Sequence, residues 1–282
     1  MNDNVEQDKK TLDTSLLSTL AIDINKAEKL DSISDQILKK NVVEFLEQGF
    51  LIIPSAVDTN LCDNLREKVE SGFGGKALCS YWDIDGIKKT EPFKPSFSNK
   101  QECKILDTHE YDQDARDAIF SPQIRDILEV IFGDIPVAFQ SLAFIRGSEQ
   151  PVHDDRTFVV VDPPNNFIAS WIALEDVRPG SGALCYYPFS HKLEPHIFRS
   201  GSLSKYEANE LLDYSAQLAQ KTQNYNLEVE EFYPKKGDVL LWHSALLHGG
   251  TVIKDKEITR YSFVTHYCPY KSKPSYSKIA TP

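Results

Sequence analysis

The chain has 282 residues, 41% of them hydrophobic and 26% charged, an ordinary globular composition long enough for one large domain or two small ones. A formal net charge of −11 disfavours nucleic acid and anionic membranes as partners, because both are gripped by concentrated Lys and Arg, but it leaves room for a local pocket that takes a small anion. No run approaches the ~20 apolar residues that cross a bilayer, the opening MNDNVEQDKK is too polar for a signal peptide, and the five cysteines are scattered without a CxxC pair, so a cytoplasmic protein with free thiols is expected.

Residues 1 to 33 read as a polar N-terminal extension in which TLDTSLLSTLAIDI is compatible with one peripheral helix. From residue 34 to 282 a single domain is expected. SDQILKKNVVEFLEQGF spaces Ile37, Leu38, Val42, Val43 and Leu46 at helical intervals behind a Ser/Asp cap and stops at Gly49. FLIIPSAV then reads as an apolar strand stopped by Pro54, and DTNLCDNLREKVESGFGG as a second capped helix. Residues 76 to 110 lack a clean period and predict a long surface loop with short strands. A helix over Pro122 to Phe132 follows, and then PVAFQSLAFIRG, whose alternation predicts a strand with Phe139, Ser141 and Ala143 on one face. FVVVD, NFIASWIAL, GALCYYP, GDVLLWHSAL and ITRYSFVTHYC are further β-rich runs bounded by turn formers. Many short, evenly spaced strands indicate a mainly β fold with flanking helices, a sandwich or barrel of jelly-roll type. Ser204 to Gln223 interrupts it as a charged helical insertion.

PVHDDRTF concentrates ionisable groups between two of these runs. On an extended strand end His153 and Asp155 project to the same face, while Asp154 and Arg156 project away as a mutually solvated pair. Two ligands on one face are half of a metal site, and a facial triad takes a second imidazole from His191, His196, His243, His248 or His266. His248 is the strongest choice, since LLHGG puts it at the end of an apolar strand where glycines allow close approach. His243 falls on the opposite face by alternation and is left a supporting role. Two imidazoles and one carboxylate bind Fe(II) with coordination positions left open, whereas zinc more often recruits a third nitrogen or sulfur. Arg260 lies in a strand pattern with Ser262 on the same face; a guanidinium fixed there suits a carboxylate, its alternative being a rim salt bridge.

The order of these motifs resembles the phytanoyl-CoA dioxygenase family of Fe(II)- and 2-oxoglutarate-dependent oxygenases. The resemblance runs from about Ser34 to Tyr267 and is carried by QGFLIIPSAV, by His153-x-Asp155 with Phe158, by SWIALEDVRPGSGALCYYPFSHK, and by KKGDVLLWHSALLHGGT with Arg260. It implies a double-stranded β-helix (cupin-like jelly roll), His153, Asp155 and His248 as iron ligands and catalytic centre, and Arg260 as the partner of the distal carboxylate of 2-oxoglutarate. It further implies that Trp171 lines the cosubstrate pocket, against a plain core role, with Ser262 and Thr251 as hydroxyl contacts; Gln140, on the strand before the motif, is a further candidate for the pocket wall. The reaction implied consumes O2 and 2-oxoglutarate, releases succinate and CO2, and hydroxylates an unactivated C–H bond of a small molecule such as an amino-acid derivative, a secondary metabolite or an acyl thioester. A complete triad favours hydroxylation over halogenation, which replaces the carboxylate. Two departures, Pro188-Phe189-Ser190-His191 for Pro-Gly-Ser-His and Ser181 for a turn Asn, predict turns of different shape; His191 is given a structural role. Substrate contacts are placed in the 76–110 loop and the 204–223 insertion, with Tyr81, Trp82 and Arg146 named. The competing readings are an inactive jelly-roll binding module and a cupin-like zinc or nickel enzyme that uses no 2-oxoglutarate.

Overall fold

The computed structural model describes residues 30–276 and 279–282. The peripheral helix expected in the N-terminal extension falls outside them. In chain order the elements are α1 (Gln36–Gln48), β1 (Phe50–Ile53), α2 (Thr59–Glu70), β2 (Leu78–Trp82), β3 (Lys88–Pro92), β4 (Gln101–Leu106), α3 (Gln113–Ile119), α4 (Pro122–Phe132), β5 (Pro136–Phe144), β6 (Val161–Asp162), β7 (Ile168–Ala173), β8 (Leu184–Tyr186), α5 (Glu210–Asn224), β9 (Glu230–Phe232), β10 (Val239–His243), β11 (His248–Gly250), β12 (Ser262–Pro269) and β13 (Lys273–Pro274).

Local chemistry explains the helix ends. Asp35 accepts from the N–H groups of Ile37 and Leu38, and Asp58 from those of Asn60 and Leu61, so each helix starts where a carboxylate satisfies its first free donors. Gly49 closes α1 with φ +84°, a left-handed conformation open to glycine at no steric cost. The buried side chains of α1 are Val42 and Phe45, whereas Ile37 stands exposed.

Eight antiparallel strands form the main sheet in the order β1-β10-β7-β12-β5-β4-β2-β3, and three form a smaller sheet in the order β11-β8-β9. Along the chain β5 lies in the main sheet, His153 bridges to β11, β7 returns to the main sheet, β8 and β9 belong to the small one, and β10, β11 and β12 alternate again. That repeated switching between two facing sheets is a jelly roll, the expected class. Its interior holds Trp171, Leu240, Trp242 and Val264 from the main sheet against Leu184, Tyr186 and Phe232 from the small one. Each such apolar side chain, fully buried, contributes about 1.5–3 kcal/mol. The outer face of the main sheet carries a larger core with α1 through α4.

Three expectations are corrected. The short strands expected in the 76–110 segment are present as β2, β3 and β4, but they extend the main sheet and are not part of a surface loop. Charged, exposed Lys88–Pro92 makes an edge strand whose polarity hides the period. Phe139 does not share a face with Ser141 and Ala143, because a register shift opposite His266 and Tyr267 inserts a bulge in β5; its ring turns inward onto Phe167 and His266, while Ala143 packs outward. Phe189 holds φ +66°, the left-handed conformation that glycine adopts freely, so the Phe substitution keeps a glycine-like turn.

Candidate metal centre and anion pocket

β11 and β8 orient the first imidazole. His248 stands opposite Tyr186, an interior side chain, and a pair in register points to the same side, so His248 faces inward. Gly249 and Gly250 follow because the 149–152 segment crosses them: a Cβ on Gly249 would sit 2.9 Å from Gln150 O, and one on Gly250 2.8 Å from Glu149 N. That crossing lets the backbones of His153 and His248 exchange hydrogen bonds of 2.9 Å. Asp155 then opens a 3-10 turn, with its N–H donating to Ser244 O, rather than continuing a strand.

These constraints gather His153, Asp155 and His248 with one donor atom each inside 4.8 Å, all three buried. His153 Nε2 is 3.8 Å and His248 Nε2 3.6 Å from the same oxygen, Asp155 Oδ1. On the far side of each ring Nδ1 meets a backbone carbonyl, Pro151 O at 2.8 Å and Leu246 O at 3.0 Å, which fixes the proton on Nδ1 and leaves the converging Nε2 atoms with free lone pairs. Trp242 Nε1 donates to Asp155 Oδ2 at 2.8 Å, turning Oδ1 toward the imidazoles. Burial, then the neighbouring His248, push the His153 imidazole down to about 3, so it stays neutral. Burial opposes ionisation of Asp155, but the surrounding His248, His266 and His153 outweigh it and hold the carboxyl below its usual range. Two imidazole nitrogens and a carboxylate oxygen turned on one point suit a divalent cation.

His266 and Trp242 complete this environment, and sequence reasoning assigns neither to the site. His266 Nε2 lies 3.5 Å from Asp155 Oδ2. Its signal was present: 262, 264 and 266 share one parity along β12. Gln150 and Lys104 were also missed. Gln150 Nε2 lies 3.3 Å from His153 Nε2, and Lys104 Nζ donates to Gln150 Oε1 at 3.3 Å; burial lowers the Lys104 pKa.

Arg260 is buried, 2% exposed, at the end of the interior that also holds Ser262. Nη1 donates to Gly182 O at 2.9 Å, and the guanidinium lies 5.4 Å from the Trp171 ring and 6.0 Å from that of Phe144. Nε has no partner, no carboxylate comes within ion-pair distance among the described residues, and the buried Ser262 Oγ is likewise unsatisfied. Burial brings the guanidinium down to about 10, still charged at neutral pH. A buried cation with unsatisfied donors is chemically suited to pair with an anion. Trp171 is a core aromatic whose ring also lies against the Arg260 guanidinium.

Gln140 lies opposite His266 in the β5–β12 register, at the triad's end of the interior and four residues from the Arg260 end. Thr251, half-exposed, donates its N–H to Ala183 O, and alternation from His248 sends its side chain to the other face. His243 and His191 pack on each other at 5.5 Å away from the triad, as structural residues. Asp154 and Arg156 do project away from the triad but are not solvated: they are 3% and 5% exposed, paired at 2.9 Å, and covered by α5, whose Tyr214 Oη accepts from Asp154 N at 2.9 Å. Tyr81 is buried and bonded to Glu91, while Arg146 is occupied by Asn99 and the carbonyls of Lys256 and Ile258, so both are structural. Trp82 is partly exposed at the outer part of the main sheet.

The family model for phytanoyl-CoA dioxygenase matches residues 45–254. Phytanoyl-CoA dioxygenase domain-containing protein 1 of Rattus norvegicus is 31% identical over 87 residues, 29% of this chain and 30% of that one, so the chain spans under a third of this relative. Among solved structures, the non-heme alpha ketoglutarate dependent carbocyclase SnoK from nogalamycin biosynthesis superposes with a TM-score of 0.64 at 17% identity, covering 87% of each chain. The epimerase SnoN, in complex with Fe3+, alpha ketoglutarate and nogalamycin RO, superposes with a TM-score of 0.62 at 14% identity, covering 84% of this chain and 86% of that one. No helix among the described residues is long and apolar enough to cross a membrane.

Proposed function

The chain belongs to the phytanoyl-CoA dioxygenase family, and from that premise we propose that it is an Fe(II)- and 2-oxoglutarate-dependent oxygenase that hydroxylates an unactivated C–H bond of a small molecule. The observation that carries the reading is Arg260, a buried guanidinium with an unsatisfied Nε and no acidic partner among the described residues, beside an unsatisfied Ser262 hydroxyl. A metalloenzyme without 2-oxoglutarate has no task for that cation, and an inactive binding module has none for the triad.

The residues fit the groups proposed. His153 Nε2, His248 Nε2 and Asp155 Oδ1 form the two-imidazole, one-carboxylate set that suits Fe(II) with open positions. Arg260 and Ser262 would hold one carboxylate of 2-oxoglutarate, and Lys104 offers a second cation on the His153 side. Once bound, iron and 2-oxoglutarate supply with O2 the oxidising power for C–H cleavage, the cosubstrate leaving as succinate and CO2.

The chain's own residues orient and enclose. Trp242 fixes the Asp155 carboxylate, the Pro151 and Leu246 carbonyls fix the imidazole tautomers, and the 5–6% exposure of the three donors excludes bulk water. Gln150 Nε2, 3.3 Å from His153 Nε2, would have to give up that contact for His153 to hold a metal. A carbocyclase and an epimerase share this fold, so hydroxylation is the outcome to test. The experiment is an anaerobically Fe(II)-loaded protein screened with candidate substrates for succinate coupled to oxygen uptake and a product one oxygen heavier. Succinate without an oxygenated product overturns hydroxylation; no succinate with any substrate, and none without substrate, overturns the oxygenase reading.

A further inference from the structure

A cavity of about 960 Å3 begins beside the triad. Thr157 and Phe158, two and three residues beyond Asp155, line it, and the Phe158 ring packs edge-on against His153 with centroids 5.2 Å apart. Phe158 remains 41% exposed beside a centre whose donors are buried. Tyr206, on the segment leading to α5, meets Phe158 at 6.0 Å and 88°, completing an aromatic wall. Exposed aromatic surface next to buried reactive groups is where a substrate's apolar body gains most from leaving water.

The rest of the lining is charged, and its balance is specific. Arg199 is held between two carboxylates: Glu210, which accepts the N–H of Arg199 at 2.9 Å and that of Glu207 at 2.8 Å, lies 3.8 Å from Arg199 Nε, and Asp213, outside the lining, lies 3.8 Å from Arg199 Nη2. Lys88, from the β3 edge strand, and Lys205 line the cavity with no ion-pair partner among the described residues, and neither does Glu207 have one. Among the lining residues themselves Lys88, Arg199 and Lys205 against Glu207 and Glu210 leave one positive charge, in a chain whose net charge is −11, and the two cations not already tied to a carboxylate are Lys88 and Lys205. Such a site favours a singly charged anion and offers little to a polyanion, which needs a cluster of cations.

We propose that this cavity is the substrate site, and that the substrate is a small molecule with one carboxylate or equivalent single negative charge, bound between Lys88 and Lys205, and an apolar ring or chain laid on Phe158 and Tyr206. Calling the occupant a substrate rests on the oxygenase reading; the recognition chemistry does not. A coenzyme A thioester, with its several phosphate charges, is disfavoured.

The probes are 8-anilinonaphthalene-1-sulfonate, a singly charged aromatic anion, its neutral counterpart N-phenyl-1-naphthylamine, and free coenzyme A as a polyanionic competitor. All are titrated against protein saturated with Mn(II) and 2-oxoglutarate, so that the Arg260 pocket is filled. The anion is expected to bind roughly tenfold more tightly than the neutral probe, with that preference lost in Lys88→Ala/Lys205→Ala and both probes weakened in Tyr206→Ala. Both lysines are exposed, so the double variant leaves the fold intact. Equal affinity for the two probes, an unchanged preference in the double variant, or displacement of the anion by coenzyme A would overturn the proposal. Failure of Mn(II) and 2-oxoglutarate to bind, read separately by calorimetry, would sink the oxygenase reading while leaving the anion preference to stand or fall by itself.

Discussion

Asp154 and Asp155 are neighbours in the chain, yet their carboxylates end in different surroundings. Asp155 turns one oxygen to two imidazoles and the other to Trp242, whereas Asp154 is buried against Arg156 beneath α5. Asp155→Ala is expected to weaken metal binding by more than about 100-fold with little loss of apo-protein stability. Asp154→Ala leaves a buried guanidinium unpaired and is expected to cost about 3–5 kcal/mol, read from urea unfolding. The reverse pattern would mean that the two carboxylates had been assigned the wrong way round. Trp242→Phe removes the N–H on Asp155 Oδ2 together with part of a buried ring, and metal affinity is expected to fall about 10–100-fold with the fold retained; unchanged affinity in a Mn(II) titration would remove Trp242 from the site.

At the scale of elements, α5 is more than an insertion between strands. Tyr214 on its buried face accepts the Asp154 N–H and donates to Asp154 Oδ2, so the helix braces the turn that presents Asp155 from behind. In Tyr214→Phe that buried N–H loses its partner, an expected cost of about 1–3 kcal/mol, together with weaker metal binding. A Leu218→Val control, which trims packing alone on the same helix, should lower stability without moving metal affinity; equal effects of the two variants on metal binding would contradict the bracing role. The helix was legible in its composition, but its seat was not. Alternation says that Asp154 and Arg156 face away from Asp155; it does not say what covers the other side. The same limit hid His266 and Trp242, whose strands were recognised and whose partners lie across the sandwich. Spacing along the chain puts Arg260 and Ser262 on one side, whereas His248 opens β11 instead of ending the apolar strand, and its inward direction comes from its pairing with Tyr186. Where a bulge or an edge intervenes, as at Phe139 and in β3, the period breaks and so does the reading.

Across the whole molecule, buried neutral imidazoles tie stability to pH. Burial holds His153 near 3 and His243 well below 6.5, so between pH 6.5 and 3 the unfolded chain takes up protons that the folded apo-protein refuses. Stability contributed by these groups is complete above pH 6.5 and is lost progressively as pH falls below it. The apo-protein melting temperature is therefore expected to drop between pH 7 and 5, with a shallower drop in His243→Gln; identical pH slopes would contradict the assignment. The jelly roll carries the triad and Arg260 in one interior, with Trp171 between the sheets.

The most direct test of the central claim needs no substrate: anaerobic calorimetry of 2-oxoglutarate binding with and without Fe(II), for the native chain and for Arg260→Ala. The account predicts one 2-oxoglutarate per chain, tight only with metal present and weakened by about 2–5 kcal/mol in the variant. Binding that is absent, or indifferent both to the metal and to Arg260, would contradict it.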